Sequence, residues 1–183
     1  MMASLCWNRL LVEGEFADRR EFEVWNQTTL LSEPDSEQLT LPLPPHALAR
    51  HLRLGFNAMV PVPFDLAMLG GEDVATWQRD NWGPQGNPVG AVERIDDGRR
   101  LAYVFHTDYV PPREWLFTVA RKFQDLIFTL DFAEQNGACA GTLRVTNEEI
   151  LEHVEAKSAD DAEYMMRAWF GLDDSAFGPA ETH

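Results

Sequence analysis

Residues 89–95 (Val-Gly-Ala-Val-Glu-Arg-Ile) and 100–107 (Arg-Leu-Ala-Tyr-Val-Phe-His-Thr) flank Asp96-Asp97-Gly98-Arg99, two β-rich runs on either side of an Asp-Gly step. Such a turn needs positive φ and joins antiparallel neighbours, so the segment predicts a β-hairpin. Downstream, Pro111-Pro112 supplies a helix start. Trp115, Leu116, Val119, Ala120 and Phe123 then recur at the spacing of one apolar helix face. Leu126, Phe128, Leu130 and Phe132 alternate with Ile127, Thr129 and Asp131, and after Gln135-Asn136-Gly137 the run 139–145 predicts a further strand.

Upstream, residues 6–14 read as a strand in which Asn8, Leu10 and Val12 alternate with Trp7, Arg9 and Leu11. Residues 16–27 carry Phe22, Trp25 and Asn26 among charged positions, the pattern of a surface helix. Between about 30 and 77 lies a proline-punctuated excursion in which only 45–54 has room for a helix. Residues 74–87, rich in Gly, Pro and Asn, read as an ordered aromatic loop. Past residue 146, Thr146 and Glu149 have capping-box spacing ahead of Ile150, Leu151 and Val154, so a first C-terminal helix is expected there. A second is expected over 158–170, with Met165, Met166 and Trp169 on its packed side and a flexible tail over 172–183.

The order is therefore β-α-excursion-β-β-α-β-β. Right-handed crossovers then favour an α+β fold, a ferredoxin-like antiparallel sheet with two helices on one face, extended by the inserted excursion and a C-terminal helical pair. The expected organisation is one domain, with core 5–146, acidic helices 147–171 and the tail. A length of 183 residues suits one core, and an apolar fraction of 45% argues against disorder of the whole chain.

Four spaced motifs carry a resemblance. They are Cys6-Trp7-Asn8-Arg9; Trp77-x-Arg79-Asp80-Asn81-Trp82-Gly83; Phe105-His106-Thr107-x-x-x-Pro111-Pro112; and residues 132–137 (Phe-Ala-Glu-Gln-Asn-Gly) with Gly141. Together with 59–64 (Met-Val-Pro-Val-Pro-Phe), they make the chain resemble the YubB-type ferredoxin-like domain proteins of bacteriophages and conjugative plasmids. Where that family continues Thr-Lys-Trp, this chain reads Pro84-Gln85-Gly86, and Thr107-Asp108-Tyr109 stands for Thr-Ala-Trp. The resemblance implies a ferredoxin-like fold, a phage or plasmid setting and no iron-sulfur cluster.

Thirty acidic side chains against fifteen basic ones leave a formal charge of -15, which disfavours nucleic-acid and membrane-surface binding. The basic pairs Arg19-Arg20, Arg99-Arg100 and Arg121-Lys122 never extend to a stripe. Two cysteines, Cys6 and Cys139, exclude a disulfide framework and suggest a reduced, cytoplasmic setting, which the resemblance implies is that of a bacterial host. His46, His51, His106, His153 and His183 lack metal-ligand spacing, so neither metal nor cofactor is expected. No catalytic motif is recognisable, and the chain is expected to be non-enzymatic.

Two candidate sites remain. Trp77, Arg79, Asp80, Asn81 and Trp82, with Tyr109, form either a stacking platform for a small ligand or nucleotide, or a plug packed on the protein itself. Glu148, Glu149, Glu152, Glu155, Asp160, Asp161 and Glu163 form an acidic patch, in a stretch (147–183) that holds ten acidic and two basic side chains. That patch is either a solvated face or a docking surface for a basic partner protein.

Overall fold

The computed structural model describes residues 4–27, 54–135, 137, 139–147 and 149–170, with the side chains of 90 and 91 excepted. The expected helix over 45–54 lies almost wholly outside the described residues. Glu148, His46, His51, His183 and the tail 172–183 lie outside them as well.

The described residues form an α+β fold on one six-stranded antiparallel sheet. Its strands are β1 (Leu5–Glu13), β2 (Val89–Asp96), β3 (Arg100–Asp108), β4 (Ile127–Glu134), β5 (Ala140–Thr146) and β6 (Glu149–Glu155), in the order β2-β3-β1-β4-β5-β6. β1 is central because its alternation is strict: Cys6, Asn8, Leu10 and Val12 are buried, while the residues between them face the other side. It pairs with β3 from Leu5↔Asp108 to Glu13↔Arg100 and with β4 from Cys6↔Glu134 to Glu13↔Ile127.

The hairpin forms as its sequence predicts. Asp97 Oδ1 accepts from the N–H groups of Arg99 and Arg100 at 2.9 and 2.7 Å, and Asp96 Oδ1 accepts from Gly98 N–H at 2.9 Å. Gly98 has φ 81, which its missing Cβ permits. These backbone donors hold both carboxyls below the ordinary carboxylate range.

Helices α1 (Phe16–Gln27) and α5 (Arg113–Lys122) pack on the face lined by Leu10, Tyr103, Phe105 and Phe128. Phe22 of α1 meets Tyr103, Phe123 and Phe128 edge-on, with centroids 5.4–6.2 Å apart. Between α1 and β2 the described chain forms α2 (Phe56–Met59), α3 (Phe64–Leu69) and α4 (Gly71–Trp82). Phe56 enters the same core, 5.0 Å from the Trp115 ring.

The structure corrects the sequence reading in three places. Within the excursion, where only 45–54 was expected to have room for a helix, α2 and α3 form over Phe56–Met59 and Phe64–Leu69, between the prolines and not across them. Residues 74–82 are not loop, for α4 occupies Gly71–Trp82, and the loop is confined to 83–88. The breakers that suggested a loop, Gly83, Pro84 and Gly86, all lie beyond Trp82, and Gly83 (φ 95) ends the helix by donating to the carbonyls of Gln78 and Arg79. Nor do residues 147–158 begin a helical pair, because Glu149–Glu155 is the strand β6. Asn147 (φ 46) reverses the chain, Thr146 pairs with Glu149, and the Thr146 hydroxyl donates to Leu126 O at 2.9 Å instead of capping a helix.

One described helix follows, α6 (Ala159–Phe170), and it covers the opposite face of the sheet. Ala162 and Met166 pack there on Ala133 and Ala140, beside Trp7 and Phe170.

Candidate functional site

β6 stands at the end of the sheet with all seven of its residues exposed. Its apolar side chains are no exception: Ile150 is 51% exposed and Leu151 43%. Ala156 N–H donates to Ala140 O at 2.9 Å. Antiparallel alternation then turns the backbone groups of Val154 and Glu152 toward β5, and those of Glu155 and His153 outward.

A bulge between the Arg144 and Val145 pairs leaves Leu151 without a partner. It also places Glu149 and Glu152 on the same side, opposite Thr146 and Arg144. The structure therefore gathers Glu149, Glu152 and Glu155 along one edge of about 20 Å, and not on successive helical turns.

The six described carboxylates of the expected patch are not equivalent. Glu155 Oε1 is paired with Arg113 Nη2 at 2.6 Å and with His153 Nε2 at 3.2 Å. The hydrogen bond from Arg113 holds the Glu155 carboxyl below its ordinary range. Arg113 in turn lies 4.6 Å over the Phe132 ring, so this pair ties α5 to the end of the edge strand.

Glu163 pairs with Arg167 one helical turn on. Asp161 lies in the first turn of α6, its N–H donating to Ser158 Oγ at 3.1 Å and its carboxylate accepting from Lys157 N–H at 3.3 Å. Among the described residues Glu149, Glu152 and Asp160 form no ion pair, so their charge faces solvent.

The tryptophan segment is arranged differently. Trp82 is 1% exposed, donates from Nε1 to Val60 O at 2.8 Å and lies 5.8 Å from both Phe56 and Trp77. Asn81 Nδ2 donates to Trp77 O at 2.8 Å. Arg79 reaches Glu72 and Thr76 on the outer side of the helix. Tyr109 (φ 62, exposed) sits at the end of β3 with its N–H on Ser4 O. The Trp82 ring belongs to the core, so its faces are not presented for stacking.

Sequence reasoning missed two polar groups inside the sheet. Asn8 Nδ2 donates to Cys6 O and Thr107 Oγ1, both at 2.9 Å, and the Thr107 hydroxyl donates to Val110 O at 2.7 Å. These residues of the Cys6–Arg9 and Phe105–Thr107 motifs lock the ends of β1 and β3 together. Burial pushes the Cys6 thiol well up, which leaves it protonated and a poor nucleophile.

On the α6 side, Asp131 Oδ2 accepts from Arg9 Nε and Nη2 at 2.9 and 2.6 Å, and Oδ1 accepts from Thr142 Oγ1 at 2.7 Å. The signal was present, since Asp131 falls on the non-core phase of an alternating strand. Asp131→Ala should cost about 1–2 kcal/mol in urea unfolding, below the figure for a fully buried pair because water reaches the Arg9 side of the bond. Thr142→Val, which keeps the ion pair, should cost less; the reverse ranking would show that the Arg9–Asp131 pair adds nothing to stability.

Among the described residues no group of three or more His, Cys, Asp and Glu side chains could hold a metal ion, and no helix is long and apolar enough to cross a membrane. No family model matches the sequence, and no curated protein matches it either. Among solved structures, the crystal structure of a protein api92 from Yersinia pseudotuberculosis, with family model DUF1281, aligns with a TM-score of 0.63 at 9% identity, covering 86% of this chain and 99% of that one. The two share a fold. At that identity nothing about activity or partners passes from one to the other.

Proposed function

We propose that this chain is a non-enzymatic accessory protein of a phage or plasmid, acting in the bacterial cytoplasm by binding a basic host or phage protein at the acidic edge of its sheet. The exposure of β6 along its whole length carries the reading. In a packed domain a seven-residue strand with Ile150, Leu151 and Val154 all exposed is unusual, and two carboxylates beside them, Glu149 and Glu152, form no ion pair among the described residues. The ferredoxin-like family reading draws support from the sub-order β2-β3-β1-β4, with α1 following β1 and α5 joining β3 to β4. It also fits the motif residues Asn8, Trp82 and Thr107, all of which are buried.

The test is a pulldown from bacterial lysate with the wild-type chain and with a Glu149→Lys/Glu152→Lys variant. A basic protein should be retained by the wild type, lost with the variant, and released as ionic strength rises past about 0.15 M, where the Debye length is about 8 Å. Retention that ignores both charge reversal and salt would count against an electrostatic surface. Random DNA and RNA should not be held in a filter assay even at low salt, because polyanions meet a chain of charge -15.

A further inference from the structure

We infer that the partner binds by strand addition: an extended, basic peptide segment pairs with the outer edge of β6 and becomes a seventh strand. This rests on the acidic-edge reading above and specifies its chemistry. The backbone groups of His153 and Glu155 point away from β5, so the edge offers donors and acceptors in register for another chain.

The side chains select what that chain can be. Glu149 and Glu152 stand on one side of the strand, and Ile150 and Val154 are exposed along it. Ile150 lies on the other side, opposite Val145, so a strand with cationic residues on the Glu149 and Glu152 side and apolar residues on the other would meet both carboxylates and cover Ile150. A second copy of β6 is disfavoured, since edge-to-edge pairing of identical strands brings carboxylates against carboxylates across the pair. The Glu155 carboxylate is already held by Arg113, so Glu149 and Glu152 are the charges left to attract a partner. A bulge at Leu151 interrupts the ladder to β5 midway, which confines regular pairing to the 152–155 half.

The probe is a synthetic eight-residue peptide of alternating Lys and Val, compared with the same peptide N-methylated at alternate residues, in fluorescence anisotropy with the intact chain at low salt. N-methylation keeps charge and side chains but removes the donors that a strand must supply. The unmodified peptide should bind at least about tenfold tighter than the methylated one, the equivalent of one or two backbone hydrogen bonds. Binding should also protect the amides of His153 and Glu155 from hydrogen exchange and fall in the Glu149→Gln/Glu152→Gln variant.

Equal binding of the two peptides would overturn strand addition and leave the acidic-edge reading standing. Failure of both peptides to bind at low salt would overturn both readings. Concentration-dependent dimerisation of the free chain that protects the same two amides would assign the edge to a second copy, against the inference.

Discussion

Trp82→Ala should lower the unfolding free energy by about 3–5 kcal/mol, seen as a drop in the urea midpoint at unchanged slope. The indole is buried, packs on Phe56 and Trp77, and supplies the donor for the Val60 carbonyl. Truncation therefore opens a cavity and strips a partly buried acceptor of its partner in one step. Trp82→Phe separates the two effects, because it keeps most of the packing and loses only the hydrogen bond. It should cost about 1–2 kcal/mol. Near-wild-type stability for Trp82→Ala would show that the ring is not a core residue, and would reopen α4 as a ligand surface.

Substitution at Gly141 should be the next most damaging change. A Cβ built there lies 2.4 Å from Val154 O in β6 and 2.8 Å from Phe132 Cζ in β4. A ring can shift, but a backbone carbonyl in a neighbouring strand moves only if the strands separate. Gly141→Ala should cost about 1–3 kcal/mol and Gly141→Val more. The loss should be local as well as global. Amides of Glu152 and Val154, which face β5, should exchange faster than those of β1 and β3 at the same denaturant concentration. Uniform loss of protection across the sheet would contradict the close approach of β5 and β6. If the edge of β6 receives a partner strand, Gly141→Ala should weaken that binding too, without touching any charged side chain.

The elements readable in the sequence are those whose cause is local. The 89–107 hairpin was legible because Asp96, Asp97 and Gly98 build their own turn from side-chain and backbone bonds a few residues apart. α5 was legible because Trp115, Leu116, Val119 and Ala120 mark one face, β1 because its buried residues alternate, and β4 because Phe128, Leu130 and Phe132 alternate in sequence with Ile127, Thr129 and Asp131. α4 was misread for a reason of position: its breakers sit after Trp82, where they end the helix and do not prevent it.

β6 was misread for a different reason. Ile150, Leu151 and Val154 suit a helix face by spacing, and Thr146 with Glu149 mimics a cap. A seven-residue segment gains little from its own helix, however, while an available β5 offers a ladder of backbone hydrogen bonds. The candidate site shows the same division. That the region after residue 146 is acidic is composition, and it was plain. Which carboxylates remain to meet a partner was not, because Arg113, whose place in the fold is set by α5, lies about 40 positions away in the chain and claims Glu155.

The sequence by itself determined the charge, the local turns and the faces of the strongly periodic segments, since each follows from residues within a few positions of one another. Only the tertiary structure decided that Trp82 points inward and that Glu149–Glu155 lies at the rim of the sheet as a strand. Burial and strand pairing depend on partners distant in the chain, and no local preference specifies those.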